Sequence, residues 1–186
     1  MVDVANEYYS SQDGLLLTKD GTVLVRGING DVVIPSTVTR ICRGAFRGAS
    51  GLKRVTIPSS VEEIGEGAFA GCSSLDGIAV DPENVFYFSW KGMLIEDYDD
   101  EYDDEFEDYY GYGRCYDTTL VRGINGVVEI PFGVTKIGKG AFEGCTGLAD
   151  VTLPSSVECI GERAFDGCTG LTDVALPSSV ECIGEG

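Results

Sequence analysis

Apolar side chains recur along this chain in units of fixed length. Pro35, Pro58, Pro131, Pro154 and Pro177 each follow an apolar residue, and each precedes a valine by three positions and an isoleucine by six. The intervals from Pro35 to Pro58, from Pro131 to Pro154 and from Pro154 to Pro177 are all 23 residues. An Ala-Phe pair lies 10 and 11 positions after the first four prolines, and alanine or cysteine lies 14 positions after them. Such a period indicates a stack of short structural repeats.

Each unit predicts two extended segments and one turn. The sequence L-x-x-V-x-[IL]-P, as at 52–58, alternates apolar and polar residues at its end, which is typical of a strand with one buried face. Proline cannot donate to a sheet, so it ends the strand. V-x-x-I-G predicts a second extended segment, and Ala-Phe predicts a single helical or 3₁₀ turn that points phenylalanine inward. One unit cannot bury these side chains alone, so we expect a right-handed repeat solenoid of short parallel β-strands, with units about 4.8 Å apart.

A longer repeat lies over the short one. Residues 25–35 (VRGINGDVVIP) return at an offset of 96 as VRGINGVVEIP, and residues 6–16 (NEYYSSQDGLL) are similar to NVFYFSWKGML at an offset of 78. The difference, 96 − 78 = 18, places 18 extra residues between Leu94 and Val121. This insertion holds an acidic tract at 96–110, with ten carboxylates, five aromatic rings and no lysine or arginine.

The short units resemble the BspA-like class of leucine-rich repeats. The motif L-x-x-V-x-[IL]-P-x-x-V-x-x-I-G-x-x-A-F-x-x-C is present in full at 52–72 and 148–168, truncated at 171–184, and more loosely at 32–48. The intervening N…YS…DG-L-L stretches resemble the spacer units of such arrays. The resemblance implies a leucine-rich-repeat-like fold in a protein that is found at the cell surface or secreted and that binds protein partners.

The predicted organisation is a single continuous solenoid. It comprises a partial spacer unit at 1–31, repeats at 32–80, a spacer unit at 81–126 with the acidic insert at about 96–112, and truncated repeats at 127–186. Neither end carries a polar capping repeat of the kind that solenoids normally need. We therefore interpret the chain as part of a longer protein.

Composition and charge exclude two classes of partner. With 13 basic and 31 acidic residues the formal net charge is −18, which repels the phosphates of nucleic acids and anionic membrane surfaces. No apolar run approaches the roughly 20 residues that span a bilayer, and the first residues do not have the pattern of a signal peptide. We expect neither nucleic-acid binding nor membrane insertion by this chain.

The sequence also argues against catalysis. The chain has no histidine, which excludes Ser-His-Asp and Cys-His nucleophile systems and histidine metal sites. Glycine patterns such as GKGAFEG at 138–144 recur in every unit and are typical of turns, so they predict no cofactor site. We expect no catalytic residues and no cofactor.

The seven cysteines sort by their position in the repeat. Cys72, Cys145 and Cys168 lie 14 positions after a proline, where the first unit has alanine, and are predicted to be small buried side chains. Cys159 and Cys182 share the position five after a proline and are expected to face outward on neighbouring units. Their separation is within disulfide reach, but parallel Cβ directions disfavour a bridge. No C-x-x-C pair is present to indicate a zinc site.

The predicted core consists of ladders of equivalent residues along the stack. Its members are the turn phenylalanines, the cysteines of the same turns and the isoleucines of the second strand: Phe46, Phe69, Phe142, Phe165, Cys72, Cys145, Cys168, Ile64, Ile137 and Ile160. The side chains expected to point outward from the first strand are Arg54, Thr56, Asp150, Thr152, Asp173 and Ala175. None of these is an aromatic anchor, so this face predicts no single strong binding site.

The acidic tract leaves three interpretations open. Its charge density predicts a solvated, disordered loop, and a passive loop is the simplest of the three. Its aromatic residues could instead contact a basic protein surface; the candidates are Tyr98, Tyr102, Phe106, Tyr109 and Tyr110. Its carboxylates could instead bind Ca²⁺, although the spacing of a calcium loop is missing; the candidates are Asp99, Asp100, Asp103 and Asp104.

Two function classes remain open at this point. The first is a non-catalytic protein-interaction scaffold, an adhesin-like array of a surface or secreted protein. The second is a structural spacer or stalk that presents another domain, with the acidic insert passive or weakly Ca²⁺-binding. The partner expected for the first class is a protein, basic or extracellular.

Overall fold

The computed structural model describes residues 1–97 and 118–185. Its regular elements are sixteen short β-strands, and the described part of the chain has no helix long and apolar enough to cross a bilayer. In chain order the strands are β1 Tyr9–Gln12, β2 Leu15–Thr18, β3 Val23–Arg26, β4 Gly30–Val33, β5 Arg40–Ile41, β6 Leu52–Ile57, β7 Glu63–Ile64, β8 Gly77–Val80, β9 Tyr87–Trp90, β10 Met93–Glu96, β11 Thr118–Arg122, β12 Gly126–Glu129, β13 Val134–Ile137, β14 Leu148–Thr152, β15 Cys159–Ile160 and β16 Cys182–Ile183.

The first strands of the repeats form parallel sheets on one side of the stack. β4, β6 and β8 form one sheet, and β12 pairs with β14 in another. In β6 the apolar side chains are buried and the polar ones between them are exposed. Val55 lies opposite Val32 and Ile78 of the neighbouring strands, so equivalent apolar residues stack along the axis. Pro58 directly follows Ile57 and ends the strand, as predicted.

The second extended segments form sheets along another side. β3, β5 and β7 are parallel, and so are β11, β13, β15 and β16. The isoleucines of this segment are paired: Ile41 lies opposite Ile64, and Ile160 lies opposite both Ile137 and Ile183. The predicted parallel solenoid with a 23-residue period is therefore confirmed.

The Ala-Phe segments form the third side of the stack. The predicted helical or 3₁₀ turn is wrong: the Ala45 N–H donates to the carbonyl three residues earlier, but Gly44 between them has a φ of 62°, so the segment is a β-turn. Backbone hydrogen bonds also join the turns of neighbouring repeats. The rings of Phe46 and Phe69 stack with their centroids 5.1 Å apart, and those of Phe142 and Phe165 stack at 5.2 Å. These segments thus place the phenylalanines in ladders inside the fold.

Both spacer units form antiparallel β-structure, which the sequence analysis did not predict. β1, β2 and β3 form one meander, and β9, β10 and β11 form the other. The two hairpins turn at Asp13-Gly14 and Lys91-Gly92, where all four residues have positive φ between 48° and 85°. This is the conformation of a two-residue type I′ turn. The third strand of each meander pairs in parallel with the next repeat, so the spacer unit enters the stack without breaking it.

The repeats before and after the second spacer unit are in direct contact at their turns. The Gly71 N–H donates to the Glu143 carbonyl at 3.0 Å. Close by, the Asn125 Nδ2 group donates to the Ser73 carbonyl at 2.9 Å. The spacer unit thus adds the strands β9, β10 and β11 to one sheet, while the turns continue from one repeat to the next. The exact division of the chain into units stays a prediction.

The last repeat is only partly formed. Residues 171–176 carry the pattern of β6 and β14 but do not form a strand, whereas Cys182 and Ile183 form β16. Among the described residues this segment has a neighbouring repeat on one side only, so fewer backbone hydrogen bonds hold it in an extended conformation.

The predicted core residues differ in how deeply they are buried. Most of them are buried: Phe46, Phe69, Phe142, Cys72, Cys145, Cys168, Ile137 and Ile160. Phe165 and Ile64 are half-buried and pack against the core. The turn of Phe165 is the last one in the chain, and Ile64 lies in β7, which is the last strand of its sheet.

The first residue of the predicted insert, Glu96, lies in a strand. Glu96 is the last residue of β10 and lies opposite Tyr87 of β9. The Tyr87 hydroxyl donates to the Glu96 carboxylate at 3.0 Å. Residue 96 therefore belongs to the hairpin, because the strand pairing continues through it.

Candidate functional site

Three aromatic side chains project from the second spacer unit: Phe86, Phe88 and Trp90, here called the aromatic edge. Their exposed fractions are 41%, 37% and 43%. Side chains alternate in direction along a strand, and the intervening Tyr87 is only 2% exposed. The inward position of Tyr87 therefore turns its neighbours outward. β9 is also the last strand of its sheet among the described strands, so the aromatic edge lies at the border of the sheet.

Tyr87 and Asn84 fix this segment to the preceding repeat. The Tyr87 hydroxyl accepts a hydrogen bond from the Ile64 N–H at 2.9 Å. The Asn84 Nδ2 group donates to the carbonyls of Pro58 and Val61 at 3.0 and 2.9 Å. Its Oδ1 atom accepts from the N–H groups two and three residues later. These hydrogen bonds attach the hairpin to the preceding repeat. Ile64 lies in β7, the last described strand of its sheet, so the Tyr87 hydroxyl binds where a further strand would pair.

Lys91 lies against one end of the aromatic edge. Its Nζ atom is 5.9 Å from the centroid of the Trp90 ring, within the range of a cation–π contact. The same atom is 3.1 Å from the Glu129 carboxylate. Both members of this ion pair are largely exposed, so it contributes little to stability. Its effect is to hold the lysine beside the indole, while the ring stays accessible to a partner.

The aromatic edge is particular to the second spacer unit. The offset of 78 places Tyr8, Ser10 and Gln12 at the equivalent positions of the first unit. The two hairpins share the same turn and strand pairing, so this exchange changes the surface and not the fold. These aromatic residues were not predicted as a contact surface, because the strand face of the repeats was the expected place for anchors. The available signal was the alternation of aromatic residues in FYFSW at 86–90.

The first-strand face of the repeats has the polar character that the sequence predicts. The six residues expected to point outward are all exposed: Arg54, Thr56, Asp150, Thr152, Asp173 and Ala175. Arg54 lies 3.1 Å from the Asp31 carboxylate, and this hydrogen bond raises the pKa of the Arg54 guanidinium. Val33, Val127 and Phe132 are also exposed, which was not predicted. Isolated exposed apolar side chains are ordinary on protein surfaces and do not define a site.

Reactive groups do not converge in the part of the chain that the structure describes. A groove of about 670 Å³ passes the ends of β4, β6 and β8, and Asp81 is the one ionisable residue that lines it. A pair of carboxyl groups for glycoside hydrolysis is therefore not present in this groove. Within residues 1–97 and 118–185, no three His, Cys, Asp or Glu side chains are grouped as they would be around a metal ion.

Both sets of candidates in the acidic tract lie outside the described residues. These are the partner-binding candidates Tyr98, Tyr102, Phe106, Tyr109 and Tyr110 and the calcium candidates Asp99, Asp100, Asp103 and Asp104. Their proposed roles therefore stay predictions.

The buried thiols form hydrogen bonds to the backbone. Cys72 Sγ donates to the Phe46 carbonyl, and Cys168 Sγ donates to the Phe142 carbonyl, both at 3.1 Å. Burial raises the pKa of the Cys72 and Cys145 thiols, and it raises that of Cys168 to about 11. A thiol that stays protonated at neutral pH is a poor nucleophile. These three cysteines therefore have a structural role.

Cys159 and Cys182 form a disulfide, contrary to the expectation from the direction of their Cβ atoms. The two residues lie opposite each other on β15 and β16, with their Cα atoms 4.8 Å apart. This separation is within the usual range for disulfides, and rotation of the side chains is enough to bring the sulfur atoms together. The bond ties the last repeat to the one before it.

The solved structures that this chain is similar to include bacterial leucine-rich repeat proteins. The pneumococcal vaccine antigen PcpA aligns with a TM-score of 0.55 and 22% identity, over 79% of this chain and 38% of that protein. A leucine-rich cell surface protein from Faecalibacterium prausnitzii aligns with a TM-score of 0.51 and 21% identity, over 83% of this chain and 59% of that protein. A leucine-rich repeat protein from Eubacterium ventriosum aligns with a TM-score of 0.49 and 19% identity, over 97% of this chain and 49% of that protein.

The chain therefore spans between 38% and 59% of the length of these proteins, and the likeness to the first two shows a shared fold. No curated protein matches the chain significantly. The repeats themselves match, in six copies, the family described as BspA type leucine rich repeat region, at residues 29–90 and 125–186. These two ranges make up more than half of the sequence, and they include β4 to β9 and β12 to β16. The chain belongs to the BspA-type leucine-rich repeat family.

Proposed function

We propose that this chain is a non-catalytic protein-binding scaffold, an adhesin-like array of a surface or secreted protein, with the aromatic edge as its main contact surface. The observation that carries this proposal is the joint exposure of Phe86, Phe88 and Trp90 on one hairpin. Aromatic residues, and tryptophan above all, are enriched among the residues that dominate binding energy at interfaces. Their exposure together on a short segment favours contact with a partner.

The attachment of the hairpin supports the same conclusion. Asn84 and Tyr87 hold the hairpin to the preceding repeat through three hydrogen bonds to the backbone. A contact surface that is already ordered loses less conformational entropy when it binds. Membership of the leucine-rich repeat family also favours a protein-interaction scaffold.

A basic protein is the partner that the charge of the chain favours. The formal net charge is −18, and the acidic tract begins at Glu96, on the hairpin that carries the aromatic edge. Opposite charges speed the encounter of two proteins, and salt weakens this attraction. Tyr98 and Tyr102 of the tract would then add aromatic contact area.

A surface or extracellular location is part of the proposal. Among the similar solved structures, the one from Faecalibacterium prausnitzii is described as a cell surface protein, and the pneumococcal one as a vaccine antigen. Treatment of intact source cells with protease, followed by detection of the released peptides, tests this location. Peptides of this chain that are found only after lysis would contradict it.

A structural spacer or stalk is the second candidate. The direct contact between the turns of Gly71 and Glu143 makes the repeats before and after the second spacer unit one continuous support. Such a support could present another domain without binding a partner itself. In that case, changes to the aromatic edge would leave every binding property of the full protein unchanged.

Binding to basic extracellular proteins tests the first candidate. The probes are hen egg lysozyme and lactoferrin, with acidic serum albumin as the negative control. In the test variant, Phe88→Ser and Trp90→Gln give the second hairpin the residues of the first, so the fold is expected to persist. We expect binding to weaken by about tenfold or more. The matched control is Val33→Ser, which removes another exposed apolar side chain and is expected to have no effect.

Two results would contradict the proposal. One is binding of the double variant at the affinity of the original chain, and the other is binding of the basic probes no stronger than that of albumin. Either result would favour the spacer. We also expect no turnover of peptide, glycan or ester substrates, because the chain has no histidine and its described unpaired thiols are buried or half-buried. A saturable activity that a single carboxylate substitution abolishes would overturn this expectation.

A further inference from the structure

Trp90, Lys91 and Glu129 meet at the turn of the second hairpin. The Lys91 Nζ atom lies 5.9 Å from the centroid of the Trp90 ring and 3.1 Å from the Glu129 carboxylate. The face of an indole ring and a carboxylate both attract an ammonium or a guanidinium ion. The lysine therefore shows which kind of group the ring and the carboxylate bind together.

We propose that an arginine of the protein partner takes the place of Lys91, with its guanidinium stacked on the Trp90 ring and paired with the Glu129 carboxylate. This inference rests on the proposed binding role of the aromatic edge, and it specifies the group that the partner contributes. A guanidinium is planar and more weakly hydrated than an ammonium, so it stacks on an aromatic face at a lower cost of desolvation. Its N–H groups also match the two oxygens of a carboxylate. Arginine is thus a better ligand for this pair than the lysine it replaces.

The lysine can leave at little cost to the fold. The side chains of Lys91 and Glu129 are 60% and 71% exposed. Ion pairs with this exposure contribute little to stability. The released ammonium returns to water, and the carboxylate becomes free for the guanidinium. The exposure of both groups also leaves room for a side chain of a partner to reach them.

The strands hold the ring and the carboxylate in place before binding. Trp90 is the last residue of β9 and lies opposite Met93 of β10, which is 1% exposed. Lys91 follows as the first residue of the type I′ turn. Glu129 is the last residue of β12, which pairs with β14. Because both backbones are already ordered, binding costs less conformational entropy.

The first copy of the long repeat has different side chains at these three positions. The offsets of 78 and 96 place the following residues there: Gln12, Asp13 and Val33. Gln12 and Val33 line the same groove, so the fold brings the positions together in the first copy as well. These residues offer neither an aromatic ring nor a cation. The site therefore depends on the side chains of the second copy and not on the fold alone.

The fluorescence of Trp90 measures the exchange directly, because the chain has a single tryptophan. The probe is the capped peptide Gly-Arg-Gly-Arg-Gly, titrated at physiological ionic strength. In the control peptide, citrulline replaces both arginines, which keeps a planar end group and removes the charge. We expect the arginine peptide to change the emission of Trp90 saturably and the citrulline peptide to leave it unchanged.

Replacing Lys91 by Gln removes the internal competitor and keeps an unbranched polar side chain in the turn. We expect the Lys91→Gln variant to bind the arginine peptide about threefold more tightly. Lys53→Gln is the matched control, since Lys53 is exposed on β6 and its replacement changes the net charge by the same amount. This control should change the affinity much less, because Lys53 does not contact the ring.

Replacing Glu129 by Gln removes the carboxylate of the site. We expect the Glu129→Gln variant to bind the arginine peptide about threefold more weakly, or worse. Glu62→Gln is its matched control, because Glu62 is exposed and carries the same charge. The thermal midpoints of these variants should equal that of the original chain, since the replaced side chains are exposed.

Two results would overturn the inference. One is an effect of Lys91→Gln no larger than that of Lys53→Gln, and the other is equal binding of the arginine and citrulline peptides. Neither result would contradict the proposed function, which is decided by the binding of lysozyme to the original chain and to the variant with Phe88→Ser and Trp90→Gln. Lysozyme binding that is unchanged in that variant would contradict the proposed function, whereas the peptide titration would still show whether Trp90 and Glu129 bind a guanidinium.

Discussion

The buried guanidinium of Arg122 donates a hydrogen bond to the carbonyl of Cys72, at 3.1 Å and across 50 residues of sequence. The same guanidinium donates to the carbonyls of Gly140, Ala141 and Glu143 at 3.3, 3.2 and 3.0 Å. Arg122 is 1% exposed, and its Nε atom has no hydrogen-bond partner among the described residues. One side chain thus joins the turn before the second spacer unit to the turn after it.

Replacing Arg122 by Met should lower the free energy of unfolding by about 3 kcal/mol, because it leaves several buried carbonyls without donors. Urea denaturation measures the loss. Arg26 is the matched control, since it holds the same position in the first copy of the long repeat and is exposed. Arg26→Met should have little effect on stability. Equal losses for the two variants would show that burial of the guanidinium is not what makes it stabilising.

Replacing Phe142 by Ala should lower the free energy of unfolding by about 3–5 kcal/mol, as for other buried aromatic residues. The Phe142 ring is fully buried and stacks on that of Phe165. Phe165→Ala is the comparison, and it should cost less because this ring is half-buried at the end of its ladder. Denaturation by urea measures both. A loss below about 1 kcal/mol for Phe142→Ala would mean that the phenylalanine ladder is not core.

The sequence was sufficient to predict the repeat itself, because a fixed period leaves one consistent way to bury the side chains of Val55, Ile64 and Phe69. It did not predict the burial of Arg122. The motif VRGING occurs in both long repeats, and only the second has a preceding turn in contact with its arginine. The aromatic edge was missed for a similar reason. The outward direction of Phe88 depends on the anchoring of Tyr87 to another repeat, which is a tertiary contact.

The free energy of unfolding should fall as the pH rises above about 9. Burial raises the pKa of the Cys72 and Cys145 thiols above the ordinary value of 9.0, and it raises the pKa of Cys168 to about 11. From pH 9 to 11 the Cys168 thiol loses its proton in the unfolded chain while the folded chain keeps it, and the raised pKa values of Cys72 and Cys145 act in the same direction. The free energy of unfolding therefore decreases as pH rises through this window. Urea denaturation at several alkaline pH values measures the slope.

Cys168→Ala is the control for this pH dependence. Alanine stands at the equivalent position of the first repeat, as Ala49, so the substitution suits the fold. The variant should lose less stability between pH 9 and 11 than the original chain does. A slope that is the same in both would show that the buried thiol is not responsible.

Reducing the disulfide between Cys159 and Cys182 should loosen the last repeat. The bond closes a loop with a sequence separation of 23, and loops of this order are worth about 3 kcal/mol in the chain-entropy account. β16 is exposed, and among the described strands it pairs with β15 alone. Hydrogen exchange measured by mass spectrometry should therefore become faster in residues 171–183 after reduction, and also in the Cys182→Ser variant. Exchange in β6 should stay the same, since β6 lies far along the stack.

The half-buried free thiol of Cys42 provides the control for the disulfide. Cys42→Ser removes a sulfur atom without removing a bond between repeats. It should leave exchange in residues 171–183 unchanged. Protection of this segment that survives both reduction and Cys182→Ser would contradict a role for the disulfide in holding the last repeat.

The acidic tract should be dispensable for folding. In the first spacer unit, residues 19–21 join β2 to Thr22 without any insertion, and Thr118 is the counterpart of Thr22. Replacing residues 97–117 by Lys-Asp-Gly, the sequence of 19–21, should therefore leave the thermal midpoint nearly unchanged. At low salt the midpoint should rise slightly, because the exchange removes mutually repelling carboxylates. Collapse of the fold would show that the tract is structural.

If the tract has a function, the charge of its carboxylates favours attraction of a basic protein surface. Binding of lysozyme should then weaken steeply between low and physiological ionic strength, and the replacement of residues 97–117 should remove most of this salt dependence. Tyr98→Ala or Tyr102→Ala should weaken binding further, because each removes aromatic contact area while the charge stays the same. A control variant in which asparagine replaces two of the aspartates of the tract should change the salt dependence of binding, because it removes charge and keeps the tyrosines.

Protection of the tract from proteolysis by micromolar Ca²⁺ would contradict the basic-partner role. It would favour the calcium interpretation, since oxygen-rich sites can bind this ion at such concentrations.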